Sequence, residues 1–361
     1  MKELHISLNE SGQRLDKLLH KYLSKANTGF IYKMLRKKNI VLNDKKAEGK
    51  EILKEGDSVK IYFSDETFAL MTGRKQETGT AGVPGNSTTA SGMHAENEDK
   101  KGSEKGNQKG SFYRMTPEIR SELTVLKQRI VYEDTHLLVI DKPAGWISQS
   151  DDSGILSVNE LCLLYLMEKG ELTERQLETF KPSIANRLDR NTSGLILFGK
   201  TLPALQSLAE LLRKRTVQKY YLAIVNEKLD EPKTIKGYLS KNEKLNKVLI
   251  KKEPFKNSAE INTAYEPVKV TDKYTVLKVH LITGKTHQIR AHLASIGHPI
   301  IGDPKYGSSK ANKYYNAEAH VHHQLLHSWM LTFPKDLTGA LKHLAGKTIS
   351  ADPPEDFGYF I

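Results

Sequence analysis

The densest chemistry in the chain lies in Asn186-Arg187-Leu188-Asp189-Arg190-Asn191-Thr192-Ser193-Gly194, which runs straight into the apolar Leu195-Ile196-Leu197-Phe198. One carboxylate, Asp189, sits between two guanidinium groups, Arg187 and Arg190. Cations on both sides keep such a carboxylate ionised and hold it in place. At ~4 Å and an effective dielectric near ~20, each pair is worth about 4 kcal/mol before desolvation is subtracted. An ionised, oriented carboxylate is either a nucleophile or a structural anchor. Taken alone, R-x-D-R also describes an ordinary loop ion pair.

Other segments offer partners for it. Thr283-Gly284-Lys285-Thr286-His287-Gln288-Ile289-Arg290-Ala291-His292-Leu293 opens on a turn and continues as a short helix. Ile289, Leu293 and Ile296 form its apolar stripe, and His287 and Arg290 share another face. Its Gly284-Lys285-Thr286 would end a nucleotide-binding P-loop only if position 279 were Gly; it is Val279, so nucleotide binding is rejected. In Lys219-Tyr220-Tyr221-Leu222 the two tyrosines point to opposite faces of a strand, so only one can line a site. Asp141-Lys142-Pro143-Ala144-Gly145 reads as a turn at a strand end, with Lys142 free to face a phosphate. His320, His322, His323 and His327 cannot converge on one metal from a strand, because they alternate in facing.

The elements that must position these groups follow from apolar patterning. Leu195 to Phe198, bounded by glycines, reads as a buried strand fed by the charged loop. Val131 to Ile140 reads as two strands turning at Glu133-Asp134, and 275–282 as a strand with Leu277, Val279 and Leu281 on one face. Ser157 to Lys169 and Leu202 to Arg213 are apolar-striped helices.

Composition bounds the partners. The 361 residues imply two domains, and a net charge of +12 points to a polyanion, with nucleic acid ahead of an acidic membrane. No apolar run approaches a membrane span, and the N-terminus shows no signal-peptide pattern. The single cysteine, Cys162, excludes an internal disulfide and a cysteine-rich metal site and fits a reducing cytosol.

Residues 11–65 read as a small module. Leu15, Leu18, Leu19, Tyr22 and Leu23 stripe one helix; Phe30, Ile31, Met34 and Leu35 stripe a second, whose other face carries Lys33, Arg36 and Lys37, with Lys38 beside them. Such a face binds phosphates without reading sequence. Residues 66–115 are dominated by Gly, Ser, Thr, Asn, Lys and Glu, too little apolar surface to offset ordering entropy, and read as a flexible tether. The tether would let the module grip one part of an RNA while the domain over 123–361 works on another.

These motifs together carry a resemblance. R-L-D-x-x-T-S-G at Arg187 to Gly194, K-P-A-G at Lys142 to Gly145, the K-x-Y-L at Lys219 to Leu222, and G-K-T-H-Q-I-R-x-H-L at Gly284 to Leu293 resemble the RluA-type pseudouridine synthases. Asn186 stands where His is commoner in that family, and Asn does not titrate near pH 7. The resemblance implies Asp189 as catalytic nucleophile, Arg290 as its paired cation about a hundred residues away in sequence, and Tyr221 as the residue packed against the target base. It implies RNA contacts at Arg187, Lys142 and His287. The module, through Arg14-Leu15-Asp16-Lys17-Leu18, Ile40 to Asn43 and Leu53 to Val59, resembles the RNA-binding domain named after ribosomal protein S-four, which implies contacts from Arg14, Lys17, Lys33, Arg36, Lys37, Lys38 and Asn43. The expected fold is α+β, a mixed, mostly antiparallel catalytic sheet flanked by helices, with a small α+β module ahead of it. The expected enzyme is a cytoplasmic monomer without cofactor or metal. It would act on structured RNA, with large-subunit ribosomal RNA favoured over transfer RNA, and a non-catalytic RNA-binding factor is the reading from a different class.

Overall fold

A computed structural model describes residues 1–73, 115–242 and 247–361. The first stretch builds a small unit from β1 (Lys2–His5), α1 (Leu15–Tyr22), α2 (Thr28–Arg36), β2 (Ile40–Leu42), β3 (Lys45–Lys46), β4 (Ser58–Ile61) and α3 (Asp65–Thr72). Its sheet runs β1-β4-β2-β3, and both helices bury their expected stripes, Leu15, Leu18, Leu19 and Tyr22 on α1 and Ile31 and Leu35 on α2. Two expected boundaries need correction. The module starts before residue 11, because β1 pairs with β4 and buries Leu4. The tether does not start at 66: Ser64 caps α3 by accepting the Thr67 amide, and Phe68 is buried against Tyr22 at 5.8 Å between rings. The apolar Phe68 and Met71 inside a polar stretch carry that helix. Residues 74–114 of the expected tether lie outside the described residues.

The larger unit begins with α4 (Pro117–Gln128), so the expected start at 123 falls inside a helix. Thr116 caps it, Pro117 opens it, and Leu123 and Leu126 are buried. There follow β5 (Ile130–Glu133), β6 (Leu137–Lys142), α5 (Val158–Glu168), β7 (Ser183–Ile184), β8 (Ser193–Gly199), α6 (Leu202–Lys214), β9 (Gln218–Asn226), β10 (Lys233–Asn242), β11 (Lys247–Lys251), β12 (Ala259–Val270), β13 (Tyr274–Leu281), α7 (Gln288–Ser295), α8 (Ser309–Ala319), β14 (Leu326–Thr332) and β15 (Thr348–Ser350). Among the described residues the strands form one sheet ordered β11-β10-β12-β13-β9-β14-β8-β6-β5, with β15 added to β14 and β7 to β8. Every pairing is antiparallel except β14 with β8. The architecture is the expected α+β. No described helix is long and apolar enough to cross a membrane. The two units touch: Thr179 Oγ1 donates to Glu10 Oε1 at 2.7 Å, and Arg175 Nη2 donates to the Glu3 carbonyl at 2.8 Å.

Strand β8 is buried along its whole length, which explains its unbroken apolar run. Ile196 and Phe198 face the core beneath α5, while Leu195 and Leu197 face a second core with Leu331 and Phe333. Where β8 meets β14, Gly194 has φ +107° and its missing Cβ would lie 2.3 Å from the Ser328 carbonyl oxygen. Backbone against backbone cannot move aside. Gly194→Ala is therefore expected to cost about 3 kcal/mol or more, read as a lowered thermal unfolding midpoint.

Candidate active site

The loop from β7 to β8 carries Asp189, and backbone and side-chain bonds hold it on every side. Asn186 Nδ2 donates to the Leu195 carbonyl at 3.1 Å, and its Oδ1 accepts the Leu197 amide at 2.8 Å. An amide serves here because the position needs one donor and one acceptor at once. Ser148 Oγ donates to the Leu188 carbonyl at 2.8 Å and accepts the Leu188 amide at 3.1 Å. The Thr192 amide donates to the Asp189 carbonyl at 3.0 Å.

The charge partner of Asp189 is neither flanking arginine. Arg187 is exposed and makes no ion pair with it among the described residues, and Arg190 Nε turns away to the Gly145 carbonyl at 3.1 Å. Arg290 Nη1 instead donates to Asp189 Oδ2 at 2.7 Å. Arg290 is buried in α7 and forks onto buried Asp303, with Nε to Oδ2 at 2.7 Å and Nη2 to Oδ1 at 2.9 Å. Asp303 Oδ1 also accepts the Lys305 and Tyr306 amides at 2.8 and 3.0 Å. Burial pushes the Asp303 carboxyl up, but Arg290 and those amides outweigh it, so the carboxyl stays below its ordinary value. Burial likewise opposes the Arg290 charge, and the Asp303 and Asp189 carboxylates more than restore it.

Helix α7 is fixed in turn. Gln288 is buried, donates through Nε2 to Thr263 Oγ1 at 3.0 Å and the Asn262 carbonyl at 3.1 Å, and accepts Thr283 Oγ1 at 2.9 Å. His292 Nδ1 lies 3.0 Å from Thr263 Oγ1. His287, just ahead of the helix, puts Nε2 3.9 Å from Asp189 Oδ2. Tyr221 is buried on β9, and burial, with the Asp189 charge adding to it, pushes its phenol up to about 12. Tyr220 points to the other face, as alternation required, and stacks on His280 with ring centroids 4.8 Å apart.

Lys142 corrects another expectation. It is fully buried, and Nζ donates to the carbonyls of Pro143 and Trp146 at 3.0 Å each and of Arg190 at 2.9 Å. It cannot face a phosphate; it ties the K-P-A-G turn to the loop of Asp189. Burial pulls its ammonium down to about 7, against the opposing Asp189 and Asp141 charges. Lys142→Met leaves three carbonyls without their donor, and a loss of about 3 to 5 kcal/mol in urea unfolding is expected, with activity falling alongside.

The structure thus brings Asp189, Arg290, His287 and Tyr221 together and leaves Arg187 exposed nearby in the loop. The module residues stand on the other unit. Lys17, Lys33, Arg36, Lys37 and Lys38 are exposed there, and the last four cluster at α2 and its end. Arg14 forks onto Asp16 at 3.1 and 2.7 Å. Asn43 is spent on a turn: its Nδ2 donates to Asp57 at 2.9 Å and its Oδ1 accepts the Ser58 amide at 2.8 Å. His327 is buried between Ser193 Oγ at 2.9 Å and the Ala351 carbonyl at 3.0 Å, and no described group of residues is arranged to hold a metal. Sequence reasoning gave no role to Asp303, Gln288, Ser148 or Tyr306. The Gly302-Asp303-Pro304 turn after the helix was the one local sign of a structured carboxylate.

Residues 136–295 match the family described as RNA pseudouridylate synthase, and that span contains both Asp189 and Arg290. The chain carries an RNA pseudouridylate synthase domain. Over 322 residues it is 28% identical to an uncharacterised RNA pseudouridine synthase of Mycoplasma pneumoniae, covering 89% of this chain and 84% of the relative. It is 32% identical over 216 residues to the ribosomal large subunit pseudouridine synthase D of Nitrosomonas europaea, covering 59% of this chain and 60% of that one. A ribosomal large subunit pseudouridine synthase C of Vibrio vulnificus is 29% identical over 91% of this chain and 87% of its own. Among solved structures, human RNA pseudouridylate synthase domain containing 4 superposes with a TM-score of 0.53 at 19% identity, covering 67% of this chain and 95% of that one. That likeness is one of fold. The synthase domain is an isomerase, and the Asp189–Arg290 pair is its candidate centre.

Proposed function

We propose that the synthase converts uridines of large-subunit ribosomal RNA to pseudouridine, with Asp189 as the nucleophile. One observation carries the assignment of the residue. Asp189 Oδ2 is held by Arg290, while Oδ1 has no hydrogen-bond partner among the described residues and the side chain is 25% exposed. One oxygen is fixed and the other is open to a substrate, which is what a positioned nucleophile requires. A purely structural anchor would have both oxygens engaged, as Asp303 does.

The reaction breaks the bond from ribose C1′ to N1, joins C1′ to C5, and moves the C5 proton away while N1 gains one. None of these steps changes oxidation state. Asp189 meets the nucleotide only after the base leaves its stack, so a loop or a locally opened helix is the expected target. Arg290, buried and doubly paired, holds one Asp189 oxygen at 2.7 Å and so keeps the carboxylate aimed. Tyr221 offers a ring against the base; with its phenol near 12 it is neutral at pH 7, so it serves better as a packing face or donor than as a resting phenolate base.

The large-subunit ribosomal assignment draws on the names of the Nitrosomonas and Vibrio relatives and on the +12 charge. The module supplies the second grip, in this reading, as an S-four-type RNA-binding unit with Lys33, Arg36 and Lys37 on backbone phosphates. Such an enzyme would work in the cytoplasm, where its ribosomal substrate is made. Tritium release from C5-labelled RNA tests the reading: release is expected from large-subunit ribosomal RNA. Release from transfer RNA alone would move the substrate, and release from neither would sink the proposal.

A further inference from the structure

His287 has a left-handed backbone, φ 54° and ψ 16°, and caps α7 without a side-chain bond to the helix. Its ring is directed elsewhere. Nδ1 lies 2.9 Å from the Tyr306 hydroxyl oxygen, and Nε2 faces Asp189 Oδ2 at 3.9 Å. The same Tyr306 oxygen accepts the Val248 amide of β11 at 2.9 Å.

Donor and acceptor counting then fixes a proton. A phenol has one proton to give and lone pairs to receive with. The Val248 N–H can only donate, so it occupies a lone pair. Among the described residues the sole acceptor within reach of the Tyr306 proton is His287 Nδ1. If Nδ1–H donated instead, the phenolic proton would have no partner in a half-buried site, at a cost in free energy. The ring therefore carries its hydrogen on Nε2. Burial, with Arg290 and Lys305 adding to it, disfavours the charged imidazolium and outweighs the pull of Asp189 and Asp303.

We infer that Tyr306 is a positioning residue that locks His287 in its neutral Nε2–H form, and that this N–H is a fixed donor beside Asp189 for a carbonyl oxygen of the bound uracil. The gap of 3.9 Å is too long for a hydrogen bond to Asp189 itself, so the donor is left for what enters. A donor that cannot become an acceptor matches the carbonyl edge of uracil and opposes an amino group in the same place. The inference rests on the synthase reading. Neither Tyr306 nor His287 needs to carry charge for it.

Nitrogen-15 spectra of the histidine rings in the full chain read the tautomer without any reaction. The expected wild-type spectrum shows His287 with Nδ1 unprotonated and Nε2 protonated. Tyr306→Phe keeps the ring under Arg290, 5.4 Å from the guanidinium carbon, and removes only the hydroxyl. It should release the tautomer and lower kcat/KM about tenfold, the worth of one hydrogen bond. His287→Gln keeps a donor at the Nε2 position and should lose less activity than a variant without one there. His287→Asn, shorter but better suited to the left-handed backbone, should lose about tenfold. A protonated Nδ1 in the wild type overturns the inference, as does a Tyr306→Phe variant unchanged in both spectrum and rate, or an Asn variant as active as the Gln one. The expected spectra together with no tritium release from any RNA would instead overturn the synthase reading and leave the proton assignment standing.

Discussion

Asp189→Asn should leave the synthase folded and without measurable tritium release, a fall of about 10⁴-fold or more in kcat. The amide matches the carboxylate in shape and still accepts a hydrogen bond from Arg290 Nη1. It offers no negatively charged oxygen to a nucleotide. Arg290 does not become an orphan, because Asp303 holds it through two nitrogens. The unfolding midpoint should therefore shift by only a few degrees, and RNA binding in a filter assay should persist. A variant retaining a tenth of the wild-type rate would remove Asp189 from the chemistry and return it to the role of loop anchor.

Asp303→Asn should do the reverse, with stability failing as well as rate. Asp303 is 1% exposed, and it compensates a guanidinium that is itself 4% exposed. Removing the main partner of a buried charge leaves that charge undercompensated, which typically costs about 3 to 5 kcal/mol. Arg290 would retain Asp189 alone, drawn toward it, so kcat should fall well over tenfold in the molecules that stay folded. The pair also sets an acid limit. Its carboxyl has a folded pKa below the unfolded value near ~3.9. The unfolded chain therefore binds the proton first, so the stabilisation is present in full above that value and is lost as pH falls through the folded pKa. Urea unfolding between pH 6 and pH 3 should show wild-type stability declining more steeply than that of Asp303→Asn. Equal slopes would mean the buried pair is not what acid dissolves.

Much of the centre could be read from the chain, but through ordered motifs rather than through proximity. Arg290 was reachable only from the resemblance, since 101 residues separate it from Asp189. Proximity misled: Arg187 and Arg190 flank the carboxylate in sequence, yet the loop turns one toward solvent and the other onto Gly145. A carboxylate's neighbours along a loop are set by backbone direction, which R-x-D-R does not encode. Lys142 failed for a related reason. A lysine before a Pro-Ala-Gly turn looks exposed, and nothing local tells that three carbonyls close over its tip. Alternation did separate Tyr220 from Tyr221, because period two survives whatever the rest of the sheet does. The helix at Asp65–Thr72 was lost because composition over a window averages away a single buried Phe68.

The order of strands has a consequence for how the enzyme comes into being. Strand β14 stands between β9 and β8, so it joins β5, β6 and β8, beside which the loop of Asp189 lies, to the antiparallel run β9 to β13, which ends just before Arg290. Both halves precede β14 in the chain, and its register with β8 pairs Ser193 with His327 across 134 residues. Closing so long a loop is slow, and topologies rich in distant pairings fold slowly. On a ribosome the small N-terminal unit, whose sheet closes within residues 2–61, can fold well before the larger unit has been made. Asp189 and Arg290 meet in a finished site only when Leu326–Thr332 has been made and has slotted between two waiting half-sheets. A nascent synthase thus completes its small unit long before it completes the pairing of Asp189 with Arg290.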